Sequence, residues 1–412
     1  MNFICSKCGK LTPTHTPQAS CSCGGLFSLP NEFPKFEEKL IDKNEWSLFR
    51  YRVFMNIEGE SWRDVTMGEG RTPIISFDKD VMVKMDYMMP TLSFKDRGAA
   101  ALVAHMKEIG VKKCVQDSSG NAGVAVAAYC ARVGIECEIY VPEGTSPKKI
   151  SMIEAFGAKA VVVPGTRDHC ADVCREKVVT EGAYYANHVF NPFFYEGTKT
   201  YIYETYEQLK RVPENIFIEL GNGTLFIGAV LALEHLLASG VISHFPQVIA
   251  IQASGCAPFF ETVEKQLDHL AEITPVPTLA EGIAIGKPAR AEEIMDMIKR
   301  HNIRVVTAPE EEILPARRKL VRLSSREPIK RLAERTSMPC SAKTARNSSS
   351  SKRPFDFIND VFSIVVRLLN KASIRSRMTV ASSFNNTSCL PTDTARAPSH
   401  NVPLFSFCLN SL

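Results

Sequence analysis

No stretch of the 412 residues approaches the roughly 18 consecutive apolar positions that would cross a bilayer. The first ten, MNFICSKCGK, lack the apolar core of a secretory signal. Both absences argue against a membrane partner and make the cytoplasm the expected location. A disulfide framework is also missing, because beyond residue 23 the cysteines are scattered singly through apolar segments. Positive charge is scarce at the start: residues 1–29 hold Lys7, Lys10 and no arginine, too few for a nucleic-acid face. Glycine stops altogether after residue 286, although the chain has 23 of them.

What is present describes a globular body with an unusual end. A hydrophobic fraction of 45% and a charged fraction of 23% are ordinary for a folded, water-soluble chain, and the length suggests two domains plus extras. The net charge of +4 is unevenly spread. Residues 324–412 carry 13 Lys/Arg against 5 Asp/Glu, a balance of +8, which leaves −4 for the first 323 residues. The same segment holds 17 serines and, apart from FINDVFSIVVRLLN, no sustained periodicity, so it reads as an atypical and largely disordered tail.

Near the start, Cys5-x-x-Cys8 and Cys21-x-Cys23 flank a 12-residue spacer, and each pair is followed by glycine. Two close thiol pairs can converge on one tetrahedral zinc, and with four protein ligands no position stays open for chemistry. The expectation is a structural zinc in a ribbon-like extension over residues 1–29. Four unligated thiols are the plainer alternative.

From residue 111 onward, short β-rich runs alternate with amphipathic helical stretches. Strands VKKCVQDS, ECEIYVP and AKAVVVPG alternate with helices GVAVAAYCARVG, SPKKISMIEAFG and RDHCADVCREKVVTEG, and YYAN follows as a further strand. The rhythm resumes with helix GTKTYIYETYEQLK, strand NIFIEL, helix LFIGAVLALEHLLASG and strand QVIAIQASG. Alternation of this kind predicts βαβ units on parallel sheets, an α/β fold. A last helix, EEEILPARRKLVRL, is interrupted by Pro315, which should kink it.

Ligands of such sheets bind beyond the carboxyl ends of the strands, where loops lead into helices. That rule singles out SSGNAG at 118–123 and GNGT at 221–224, the second placed between a strand and a helix where free N–H groups favour a phosphate. A glycine turn at a strand end is often only a turn. Lys95, in the polar turn TLSFKDRG, would on its own pass for a solvated charge. Taken together, an amine and a separate phosphate seat call for a carbonyl carried on a phosphorylated cofactor, and pyridoxal phosphate has both groups.

SFKDRG, SSGNAG and GNGT, in this order and at these spacings, resemble the tryptophan-synthase-β-like, or fold type II, pyridoxal-phosphate enzymes. The cysteine ribbon, GEGRTP and the EGTKT helix start make the chain most similar to threonine synthases. The resemblance covers residues 1–323 and implies two open, mostly parallel-sheet domains, the smaller over about 95–190 and the larger from the flanking segments of 30–323. It implies Lys95 as the Schiff-base lysine, Asn121 on the cofactor ring, and Gly221, Asn222, Gly223 and Thr224 on its phosphate. Ser118, Ser119 and Asn121 would line the side facing a small amino-acid substrate. The implied activity converts O-phospho-L-homoserine and water to L-threonine and phosphate. Another elimination or β-replacement, such as a threonine or serine dehydratase reaction, or a catalytically impaired relative, are the alternatives. Family members are often dimers, so a homodimer is implied by the same analogy.

Three departures from the pattern stand out. Leu92 occupies a position usually held by glycine. Phe194 stands where many threonine synthases have an arginine that clamps the substrate phosphate, and the loss weakens phosphate recognition unless Lys199, Arg71 or His188 compensates. No equivalent of the family's hydroxyl-bearing turn follows Leu323; the nearest string, REPIKR, has no hydroxyl in place. A sheet edge and one wall of the site are therefore expected to be missing.

Overall fold

The computed structural model describes residues 1–324, except 19 and 79, and residues 404–406. Three short strands, β1 (Asn2–Cys5), β2 (Leu11–Pro13) and β3 (Phe27–Ser28), form a small antiparallel sheet in the order β2-β1-β3. It is not a detached bead. The buried ring of Phe3 stacks on Phe27 at 4.8 Å between centroids and meets Phe193 edge-on at 5.8 Å, so the ribbon shares a core with the body.

The body has two sheets. The smaller contains β6 (Lys113–Gln116), β7 (Glu136–Pro142), β8 (Lys159–Val163) and β9 (Tyr184–Tyr185), all parallel, in the order β8-β7-β6-β9. Helices α3 (Asn121–Val133), α4 (Pro147–Ala155) and α5 (Arg167–Glu181) make the crossovers. Their boundaries follow local chemistry. Ser146 and Thr166 accept hydrogen bonds from the N–H groups of Lys149 and His169, capping α4 and α5, and Pro147 takes the first helical position of α4, where an N–H is not needed.

The larger sheet runs β12-β11-β10-β13-β5-β4. Its members are β4 (Ile74–Asp78), β5 (Val81–Lys84), β10 (Asn215–Glu219), β11 (Gln247–Ala253), β12 (Arg304–Ala308) and β13 (Leu404–Ser406), parallel except for the β4–β5 pair. After the short α1 (Trp62–Val65), the long helices α2 (Lys95–Glu108), α6 (Phe193–Leu209) and α7 (Thr224–Ala238) pack on one another, α6 against both others, and the short α8 (Pro258–Glu264) follows β11. α2 carries an unbroken buried run from Asp96 to Met106, and α7 is apolar nearly all round, as expected of helices enclosed on every side.

The strands and helices anticipated between 111 and 255 are all present; β7 keeps its expected bounds, α3, α6 and α7 begin one to four residues earlier, and most other ends fall one or two residues short. The closing helix α10 (Glu310–Ser324) continues across Pro315. The expectation that the chain beyond Leu323 leaves a sheet edge missing is corrected: Leu404–Ser406 pair in parallel with both β10 and β5, filling an interior slot of the sheet. The predicted disorder of the tail otherwise lies outside the described residues, as does REPIKR. No described helix is long and apolar enough to cross a membrane.

Candidate active site

Lys95 is the first residue of α2, reached through a tightly closed turn. The carboxylate of Asp96 accepts from the Thr91 N–H at 2.8 Å and its hydroxyl at 2.6 Å, and Ser93 Oγ accepts from the Lys95 N–H at 3.2 Å. Burial pushes the Asp96 carboxyl up to about 7. Leu92 sits at φ 62°, the left-handed region where glycine is at ease, so this departure from the family pattern carries a backbone cost.

The half-buried amine of Lys95 donates to Thr224 Oγ1 at 2.7 Å, joining α2 to the GNGT turn. That turn leaves the carboxyl end of β10 and opens α7. Gly223 has φ +80°, and a Cβ there would strike Ile294 at 2.5 Å. No side chain caps the α7 N-terminus, so its N–H groups and the dipole of a 15-residue helix face the turn. The structure thus brings Lys95 and Thr224 together, with Gly221, Asn222 and Gly223 beside them.

At the carboxyl end of β6 the SSGN turn opens α3, and Asn121 is its first residue. Among the described residues, Asn121 Nδ2 is buried without a hydrogen-bond partner. Ser118 is buried, and Ser119 is partly exposed beside it. Three further polar groups share this lack of partners: both amide atoms of Gln116 at the end of β6, both carboxylate oxygens of Glu219 at the end of β10, and Nδ1 of His188. Burial raises the Glu219 carboxyl to about 8 despite the pull of Lys95, and burial with the nearby cations Lys95 and Arg167 holds His188 neutral, far below its ordinary range. Folded chains rarely leave so many buried polar atoms unpaired. Unpaired groups at the ends of β6 and β10 and at the start of α3, with Glu219 and His188 feeling the Lys95 charge and the α7 N-terminus uncapped, fit pyridoxal phosphate, whose phosphate, phenolic oxygen and ring would supply partners. Neither Gln116 nor Glu219 is visible as a site residue in sequence, where one polar residue ending an apolar strand looks like the start of a loop.

The first turn of α2 is anchored from below. Arg97, fully buried, donates to both oxygens of Asp86 at 2.8 Å and to Glu204 Oε2 at 2.9 Å. Lys84 pairs with the same Glu204 and donates to the Thr72 carbonyl at 2.7 Å. Two cations and two carboxylates, all at most 1% exposed, thus form a charge-balanced core under the lysine turn.

The opposite wall is aromatic. Phe194 packs its ring against Gly98, where a Cβ would come within 2.2 Å, and lies 5.7 Å from Lys95 Nζ and edge-on to His188. Asn187 is occupied in holding its own loop: its amide donates to Asp117 at 2.7 Å and its carbonyl accepts from the N–H groups of Val189 and Phe190. Of the cations proposed to replace the arginine, Lys199 pairs with Glu196 at 2.8 Å under the ring of Phe33, and Arg71 stacks over Trp46 at 4.1 Å. Only His188, as a neutral imidazole, faces the same wall as Phe194.

In the ribbon, the four thiols converge. Cys5 and Cys23 Sγ are 3.5 Å apart, Cys8 and Cys23 3.4 Å, and Cys8 and Cys21 3.8 Å, with the N–H groups of Lys7 and Cys8 directed at Cys5 Sγ.

Comparison with known proteins agrees with this geometry. Residues 65–326 match the family described as pyridoxal-phosphate dependent enzyme. The chain is 30% identical over 332 residues to a threonine synthase of Methanocaldococcus jannaschii, covering 77% of this chain and 82% of that protein. It is 31% identical over 280 residues to a threonine synthase of Halalkalibacterium halodurans, covering 65% and 75%. Among solved structures, the processed threonine deaminase isoform 2 of Solanum lycopersicum shares the fold at a TM-score of 0.55 and 22% identity, over 71% of this chain and 82% of that one. An O-ureido-L-serine synthase does so at 0.55 and 18% identity, over 86% and 92%. By its matched family, its relatives and its two-sheet architecture, this chain belongs to the fold type II pyridoxal-phosphate-dependent enzymes, among their threonine-synthase-like lyases.

Proposed function

We propose that the chain converts O-phospho-L-homoserine and water to L-threonine and phosphate, with Lys95 as its catalytic amine. The observation that carries this reading is the Lys95 amine held 2.7 Å from Thr224 Oγ1 at the mouth of the GNGT turn. Bound there, pyridoxal phosphate supplies a carbonyl for amines and an electron-withdrawing ring that makes the substrate Cα–H acidic.

The chain's own residues do the rest. Backbone N–H groups of Gly221, Asn222, Gly223 and Thr224 would hold the cofactor phosphate at the α7 N-terminus. Asn121 would donate to the ring's phenolic oxygen, and Ser118, Ser119 and the start of α3 would hold the substrate carboxylate. Lys95 would move protons at the substrate's Cα, Cβ and Cγ as it alternates between amine and ammonium. Phe94, 4.6 Å from its Nζ, and Phe194 keep water from the amine. Cys5, Cys8, Cys21 and Cys23 hold a structural zinc.

A second reading is favoured by Phe194. An apolar ring and a neutral His188 suit an uncharged side chain better than a phosphate, which supports a dehydratase acting on threonine or serine. Both readings need Lys95. Purified protein should absorb in the visible from lysine-bound cofactor, lose the band on borohydride reduction, and retain the label at Lys95; Lys95→Ala should carry no label. A chain that cannot be loaded with pyridoxal phosphate sinks both readings. Phosphate release from O-phosphohomoserine, set against ketoacid formation from threonine and serine, decides between them.

A further inference from the structure

Arg290 lies outside every motif of the site, in the loop before α9 (Ala291–Arg300), yet it is only 2% exposed. Its donors are spent on carbonyls of two distant stretches of chain and on one near neighbour. Nε donates to the Val189 carbonyl at 2.6 Å, and Nη2 to the carbonyls of Phe190 at 2.9 Å and Phe27 at 2.8 Å, while Nη1 pairs with the partly exposed Glu293. The guanidinium lies 4.9 Å over the ring of Tyr195, whose hydroxyl donates to the same Val189 carbonyl. Phe27 belongs to the ribbon strand β3; Val189 and Phe190 belong to the loop that carries His188 and leads to Phe194.

A second link runs in parallel. Phe3 of the ribbon meets Phe193, which stacks on His105 of α2 at 3.6 Å, and His105 Nε2 lies 3.0 Å from the Thr14 carbonyl. The ribbon therefore touches the residue next to Phe194 and the helix that begins with Lys95.

We infer that Arg290 is a positioning residue that ties the substrate-side loop 187–194 to the N-terminal ribbon, so that an intact ribbon is a condition for tight substrate binding. A buried guanidinium needs its acceptors, because a lost partner leaves part of a cation desolvated. If the ribbon loosens, the Phe27 carbonyl withdraws and the cation moves away from Val189 and Phe190 toward water or Glu293. The wall formed by His188 and Phe194 then loses its fixed place, while Lys95, Thr224 and the cofactor seat keep theirs. The inference rests on the proposed amino-acid chemistry at Lys95 and, in one arm of its test, on the zinc reading of the ribbon.

The test uses the holoenzyme and three variants: Arg290→Met, Arg290→Lys and Phe3→Ala. Arg290→Met should raise KM about tenfold, the scale of one charge-assisted hydrogen bond, with kcat changed less than about twofold and the cofactor absorbance unaltered. Amide hydrogen exchange should quicken at 189–194 and at 26–28 together. Arg290→Lys, which keeps a charge able to reach one carbonyl, should recover part of the KM. Phe3→Ala, or metal removal with a chelator, should raise KM in the wild type but add little in Arg290→Met, since the link is already cut. An unchanged KM and unchanged exchange at 189–194 in Arg290→Met, or ribbon and Arg290 effects that simply add, overturn the inference. A chain purified without bound metal defeats the zinc reading alone, and Phe3→Ala still decides the link. If no amino acid reacts, the function reading fails, and exchange at 189–194 in the same variants still decides the positioning role.

Discussion

Replacing Glu204 with glutamine should destabilise the protein far more than loss of one hydrogen bond, because Glu204 is half the negative charge of a sealed cluster. In the wild type two carboxylates, Asp86 and Glu204, face two cations, Arg97 and Lys84, with none more than 1% exposed. Glutamine keeps the shape and an acceptor for Arg97 but leaves one positive charge uncompensated in the core. Breaking a buried pair on one side costs about 3–5 kcal/mol, against a total stability of about 5–15 kcal/mol. The urea midpoint of the cofactor-loaded protein, compared with wild type at one pH, reads that cost. Removing the stranded ammonium as well, in Glu204→Gln/Lys84→Met, should restore much of the stability, since neutrality returns. The pH dependence gives a second check. Burial would raise the Glu204 carboxyl, but Arg97 and Lys84 together hold it well below the usual carboxylate range. Its folded-state pKa is thus depressed, so its contribution is present above about 4.5 and is lost as pH falls toward the folded value. That acid-limb slope should be shallower in Glu204→Gln. A loss below about 1 kcal/mol, or a double variant less stable than Glu204→Gln, would refute the account of a balanced cluster.

Glu219 has the opposite sign: with its folded pKa raised from 4.5 to about 8, it contributes stability that is lost as pH climbs through that window. The cofactor-free wild type should lose stability from pH 5 to 8 more steeply than Glu219→Gln, as urea midpoints at several pH values will show. Leu92→Gly should gain up to about 1 kcal/mol by releasing the left-handed strain, less the extra chain entropy of glycine; a lower thermal midpoint would contradict it. Cys23→Ser should reduce bound zinc below one per chain by metal analysis while sparing cofactor absorbance.

The parts of the site that could be read from sequence are those with local signals. Lys95, SSGN and GNGT sit at strand-to-helix turns, and glycine, serine and asparagine mark such turns because the backbone there needs them. The alternation of β-rich and amphipathic runs likewise carried the two parallel sheets. What escaped depends on distant neighbours. Arg290, in the polar string GKPAR, looks like a solvated charge until Phe27, Val189 and Phe190 surround it. Lys84, Asp86, Arg97 and Glu204 come from β5, its following loop, α2 and α6, and nothing near each in sequence says that they meet. In sequence Phe194 is only a missing arginine; its contact with Gly98 and His188 turns that absence into a shaped wall. Leu404–Ser406 had no chance of recognition, since three residues offer no period and their partners, Met82 and Ile216, lie far up the chain.

That last strand bears on how the protein is made. A ribosome releases β4 and β5 early and β10 to β12 much later, and neither group can close against the other until residue 404 has emerged. Until then each presents an open edge of unpaired amides, the kind of surface on which nascent chains pair wrongly or recruit chaperones. The larger sheet is therefore completed only by a strand made long after β5, and a ribosome stalled before Leu404 would hold two half-sheets with no strand to join them.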